Sequence, residues 1–194
     1  MLTENEKSVL RILLTSFVDL SINQIAKLAK LSPNGAYKIL KKFENEGIIK
    51  PKNISNIKSY YLDFDNEKTK NILQLALIPS IEGRIKFRFD DLKELKKITL
   101  ASMMFGSYIS QKKEPNDLDI LIIIEEKHYK AYKELSERLF KTIPIKVHEI
   151  LQTEEDFKKN ISKKDEVINE ILKTGKILWG QDKIISLISS IRNN

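Results

Sequence analysis

The chain has 194 residues, 41% hydrophobic and 31% charged, and contains no cysteine. That composition supports packed cores and excludes wholesale disorder, a disulfide framework and a thiolate metal site. The formal net charge of +7 points to an acidic partner, nucleic acid or nucleotide first, although a chain rich in Lys, Ile and Asn also acquires charge through composition alone. No charged-then-apolar leader opens the sequence and no apolar run approaches about 18 residues, so a cytoplasmic protein without a membrane role is expected.

In chain order, Glu4 to Phe17 places Val9, Leu10, Leu13, Leu14 and Phe17 at helical spacing, with Thr3 and Glu6 forming a capping-box pattern. Ser21 opens a second short helix carrying Ile22, Ile25, Ala26 and Leu28. A turn over 31–35 puts Pro33 at the first position of a third helix, which Gly47 ends. Ile48 to Lys50 and Ser59 to Leu62 read as strands flanking a basic, Asn-rich loop from Pro51 to Lys58. Residues 1–63 hold ten Lys and Arg against six Asp and Glu, so the positive excess is denser here than in the remainder, with 24 against 21.

The phrase SINQIAKLAKLSPNGAYKILKKFENEGIIK resembles the helix-turn-helix core and wing of archaeal and bacterial winged-helix regulators, over about residues 5–63. That resemblance implies duplex DNA as a partner, read by the second helix of the pair in the major groove. Ser32, Asn34 and Tyr37, near the start of that helix, are expected at base edges. Lys38, Lys41 and Lys42, with Lys52 and Lys58 from the wing, are expected at phosphates. The competing reading of these lysines is a solvated helix face, and winged helices also serve as protein-interaction or dimerisation modules. Residues 64–97 are expected to be a helical connector, with a helix over Thr69 to Ile78 and one bent or two short helices over Ile81 to Lys97.

Residues 98–194 form the second expected domain. An apolar run, Leu100 to Phe105, stops at Gly106-Ser107; a polar spacer follows, and Asp117-Leu118-Asp119 opens a second run ending at Ile124. Two such runs read as buried strands. Strand side chains alternate between faces, so Asp117 and Asp119 project from one side and can share a hard cation. Gly106 permits a tight turn and close approach of a phosphate, while Ser107 offers a hydroxyl and a backbone N–H at a helix start. Lys127 to Phe140 reads as a helix, and Pro144 opens another strand, IKVHEIL.

Gly-Ser, a spacer and Asp-x-Asp closely resemble the signature of the DNA polymerase β-like nucleotidyltransferase superfamily in its minimal form, over roughly residues 90–180. The resemblance implies nucleotide binding by Gly106 and Ser107, and Mg²⁺ held by Asp117 and Asp119. In that family a third carboxylate usually sits on the later strand as base or metal ligand. Alternation here places His148 at that position, with Glu149 as the competitor if the register slips by one. An imidazole accepts a proton but is a softer ligand, less suited to Mg²⁺. The phrase EILKTGKILWGQD resembles the closing helix and edge of the same family.

The expected fold is therefore α+β in two domains: an N-terminal winged helix and a small mixed sheet flanked by helices. The expected function is a DNA-binding regulator whose nucleotidyltransferase-like domain binds Mg²⁺–NTP. The alternative is an active transferase moving a nucleoside monophosphate to a protein or small acceptor. The catalytic candidates are Asp117, Asp119 and His148. A protein partner and a second copy of the chain remain open.

Overall fold

The computed structural model describes residues 1–54, 57–110 and 115–192. The chain is α+β and divides into two compact units, Met1–Leu77 and Ile78–Asn194.

The first unit begins with α1 (Glu4–Thr15), α2 (Ile22–Ala29) and α3 (Pro33–Asn45). Each has a side-chain cap. Thr3 and Glu6 form a reciprocal capping box on α1, Ser21 and Gln24 form one on α2, and Ser32 caps α3 with Pro33 in its first turn. Their apolar faces converge on a core that includes Val9, Leu10, Leu14, Ile25, Leu40 and Phe43. An antiparallel hairpin follows, β1 (Ile49–Ile54) and β2 (Ile57–Leu62), and Ser59 also bridges to Ser21. The strands run further than the sequence predicts, because pairing continues through Pro51↔Tyr60 and Lys52↔Ser59. β1 pairs with β2 alone and so is an edge strand, which accommodates the missing N–H of Pro51. Positions 55 and 56, at the tip of the expected basic loop, lie outside the described residues.

Helix α4 (Glu67–Leu77) packs on α1 and completes this unit. Thr69 Oγ1 donates to the Ile48 carbonyl, and Asn66 Nδ2 donates to the Gly47 carbonyl at 2.8 Å. These bonds carry the first unit past the expected boundary at 63. The expected connector, 64–97, is accordingly shared between the two units.

The second unit opens with α5 (Gly83–Leu92) and a short 3₁₀ segment, Lys93–Lys97. A four-stranded mixed sheet follows in the order β5-β4-β3-β6, with β3 (Ala101–Phe105), β4 (Asp117–Ile124), β5 (Lys146–Thr153) and β6 (Lys176–Trp179). β3 is antiparallel to β4 and β6, whereas β5 lies parallel to β4 and joins it through α6 (Tyr129–Phe140). Alternation along β4 sends Leu118, Ile120, Ile122 and Ile124 into a core with Met104, Leu92, Leu95 and Tyr132. The helices α7 (Glu154–Ser162), α8 (Glu166–Thr174) and α9 (Gln181–Arg192) contact one another or the sheet strands. Trp179 is buried in that core, and its indole N–H donates to Thr99 Oγ1 at 3.0 Å. No helix among the described residues is long and apolar enough to cross a membrane.

Candidate active site

The site sits where β3 ends and β4 begins. The backbone turns at Gly106 with φ +70° and runs through a single 3₁₀ segment, Gly106–Ile109. The sequence predicts a helix start at Ser107, but the segment stops after four residues and brings no helix dipole. Residues 111–114 of the polar spacer lie outside the described residues. Phe105 pairs with Asp119, which brings the turn directly over the Asp-x-Asp strand.

The carboxylates are held in complementary ways. Ser107 Oγ lies 3.4 Å from Asp117 Oδ1, while Asp117 Oδ2 faces His148 Nδ1 at 3.5 Å. Asp119 Oδ2 fills the space that a Cβ on Gly106 would need, only 2.2 Å from that point, and Asp119 Oδ1 faces His148 Nδ1 at 3.5 Å. One oxygen of each acid thus rests against the turn, and the other converges with the imidazole.

The parallel β4–β5 register pairs Asp119 with His148, whose ring faces both acids of the Asp-x-Asp pair. Glu149 projects from the other face. It accepts from the buried Tyr132 hydroxyl and pairs with the Lys133 ammonium. That contact raises the Lys133 pKa; burial, then the bond to Glu149, raises that of Tyr132. Asp117, Asp119 and His148 form the one group of three such side chains, among the described residues, able to hold a metal ion, with donor atoms within 4.8 Å of one another. Two carboxylate oxygens fit a hard divalent cation; the imidazole nitrogen is the departure.

Residues 89–184 match the family model described as Polymerase beta, Nucleotidyltransferase. This region is a polymerase β-like nucleotidyltransferase domain. No curated protein matches the chain significantly, and no solved structure does. Beside the Gly-Ser turn, the nucleotidyltransferase domain has a cavity of about 650 Å³ lined by residues including Phe105, Gly106, Ile109, Glu166, Glu170 and Thr174. Its wall on α8 is not legible from the motif, because 60 residues of sequence separate Gly106 from Glu166. Two of the three acids at the start of α7 have structural partners instead: Asp156 caps the helix with Thr153, and Glu154 pairs with Lys183. His128 lies 3.6 Å from Glu125, apart from the metal cluster.

The DNA-contact candidates of the first unit fall into two groups. Asn34, Tyr37 and Lys38 are exposed on α3, and the exposed Ser32 accepts from the Gly35 N–H at 3.1 Å as the helix cap. The other lysines hold internal acids. Lys41 lies 2.8 Å from Glu44, whose other oxygen is 3.5 Å from Lys58. Lys42 reaches Glu6 at 2.7 Å, and Lys52 reaches Asp19 at 3.1 Å. The bond to Glu44 raises the Lys41 pKa, and Glu44 is held low first by Lys41. Lys27 and Lys30, which sequence reasoning did not single out, are exposed and have no acidic partner among the described residues.

Proposed function

We propose that the nucleotidyltransferase domain binds a divalent metal–NTP complex, within a regulatory protein whose N-terminal unit is a winged helix for duplex DNA. The observation that carries the nucleotide reading is the convergence of Asp117, Asp119 and His148 beneath the Gly106-Ser107 turn. The turn offers backbone N–H groups and a hydroxyl to phosphates, and the acids hold the cation that neutralises them. The DNA reading draws support from the order of helices and hairpin and from the exposed Asn34, Tyr37 and Lys38 on α3.

A second reading, active transfer, is favoured by the cavity that shares Gly106 with this site, since an acceptor needs a concave surface beside the phosphates. An acceptor hydroxyl oxygen would attack the α-phosphorus in line as the bond to the β-phosphate oxygen breaks, releasing pyrophosphate. The cation, when bound, stabilises the charge on that leaving group. Asp117 and Asp119 would orient the triphosphate, and the hydroxyl proton would pass to solvent or to a neighbouring base.

The test is calorimetric titration of the full chain with ATP and GTP in the presence of Mg²⁺ or Mn²⁺, against the Asp117→Asn/Asp119→Asn variant. Metal-dependent binding by the wild type, lost in the variant, is expected. A folded wild type that binds neither nucleotide with either metal overturns the nucleotide reading. Pyrophosphate release with added acceptors then separates transfer from binding alone.

A further inference from the structure

We propose that the Asp117–Asp119–His148 cluster is selective among divalent ions, taking a first-row transition dication such as Mn²⁺ in preference to Mg²⁺, and that His148 sets the preference. The proposal deepens the metal–nucleotide reading and rests on it only in using the same residues. Three features lead to it. The inward-facing ring atom of His148 is Nδ1, equidistant at 3.5 Å from one oxygen of each acid. Adjacent ligands of an octahedral ion lie about 3 Å apart when metal–ligand distances are about 2.1 Å, so the three atoms, within 4.8 Å of one another, must draw together around an ion. The opposite oxygens lie toward the Gly106-Ser107 turn, so the three converging atoms are the donors that face one another.

The donor chemistry then decides among ions. Mg²⁺ favours oxygen ligands and dehydrates reluctantly, so an imidazole in place of an acid removes both a charge and a preferred donor. Mn²⁺ and the later dications accept nitrogen more readily while still taking carboxylate and phosphate oxygen. An acid cannot enter this position by local rearrangement. Glu149 is on the opposite face, held by Tyr132 and Lys133, and only a one-residue slip of β5 would exchange it with His148. That slip would also break the eight-residue register between β4 and β5. His148 is 44% exposed on the outer strand of the sheet, so the ring has room to draw in toward an ion.

The chain contains two histidines, which gives the test a readout independent of activity. Mn²⁺ binding to the nucleotide-free full chain is followed by electron paramagnetic resonance, with Mg²⁺ as competitor. Histidine ring proton signals are recorded by NMR and assigned with His128→Gln. Substoichiometric Mn²⁺ should broaden the His148 signals before those of His128, and displacement by Mg²⁺ should need at least about tenfold more ion. His148→Ala should weaken Mn²⁺ about tenfold or more while changing Mg²⁺ little. His148→Asp should bring the two affinities together.

Equal affinities in the wild type, or equal losses for both ions in His148→Ala, overturn the proposal. Absent or unselective broadening of His148 does so without any variant in the site. ATP binding supported equally by both ions would leave the nucleotide reading standing and remove the selectivity. Mn²⁺ bound at His148 with no nucleotide binding would do the reverse.

Discussion

Gly106 is where backbone conformation and site geometry impose the same requirement. Its φ of +70° disfavours any residue with a Cβ, and the space that atom would need is occupied by Asp119 Oδ2 at 2.2 Å. Gly83 separates the two effects, since it also has a positive φ, +54°, but a Cβ there meets nothing within 4 Å. Gly83→Ala should therefore show only the backbone cost, about 1–2 kcal/mol in denaturant unfolding, with metal titrations unchanged. Gly106→Ala should show that cost and also displace Asp119, abolishing metal-dependent nucleotide binding in a chain that still folds. Wild-type binding by Gly106→Ala would mean that Asp119 is not held by the turn. His148 makes the complementary point about side-chain direction. Period-two alternation favoured it opposite Asp119 but left Glu149 open to a one-residue slip, and it is the parallel pairing of β5 with β4 that sets Asp119 beside His148.

Elements whose ends carry their own chemistry were legible from sequence. The capping box at Thr3, the proline opening α3 and the two apolar runs of β3 and β4 all encode their boundaries locally. What was not legible depended on partners far along the chain. The continuation of the hairpin past Pro51, the docking of α4 on α1, and the α8 wall of the cavity are settled by tertiary packing. The same holds for the pairing of Lys42 with Glu6 across 36 residues, which recruits a lysine of α3 to the capping box of α1. Burial alone would push the Glu6 carboxyl up; the bond to Lys42, together with those from Thr3, outweighs it and holds the group below its ordinary value of 4.5. A carboxyl depressed in the folded state stabilises the fold above its unfolded value, and loses that contribution as pH falls through the folded value. The stability gap between wild type and Glu6→Gln should therefore be full above about pH 5 and close progressively below 4.5, read as the midpoint of thermal unfolding. Thr3→Ala, which removes the other half of the box, should cost about 1 kcal/mol. A gap that does not change with pH would mean that Glu6 and Lys42 do not pair in solution.

At the scale of the whole molecule, the net charge of +7 matters less than where it is left uncompensated. All six acids within residues 1–63, Glu4, Glu6, Asp19, Glu44, Glu46 and Asp63, lie within 4.0 Å of a lysine. Those pairs engage Lys7, Lys41, Lys42, Lys50 and Lys52, and Glu44 engages Lys58 as well. Lys27, Lys30 and Lys38 remain exposed without an acid partner among the described residues, all three on or beside α2 and α3. A lysine that already neutralises an internal carboxylate brings little net charge to a phosphate, and diverting it forfeits the internal pair. Binding to duplex DNA releases counterions in proportion to the phosphates neutralised, so the dependence of log K on log salt counts the lysines that take part. Lys38→Ala should weaken binding and lower the slope by about one, and Lys27→Ala with Lys30→Ala should extend the loss if α2 also meets the backbone. Lys42→Ala should leave the slope nearly unchanged and act through stability, because its charge is committed to Glu6. Equal slope losses for Lys38→Ala and Lys42→Ala would show that the internal pairs open on DNA, returning the charge count to the one taken from sequence. A slope near zero for the wild type would remove duplex DNA as the partner of this surface.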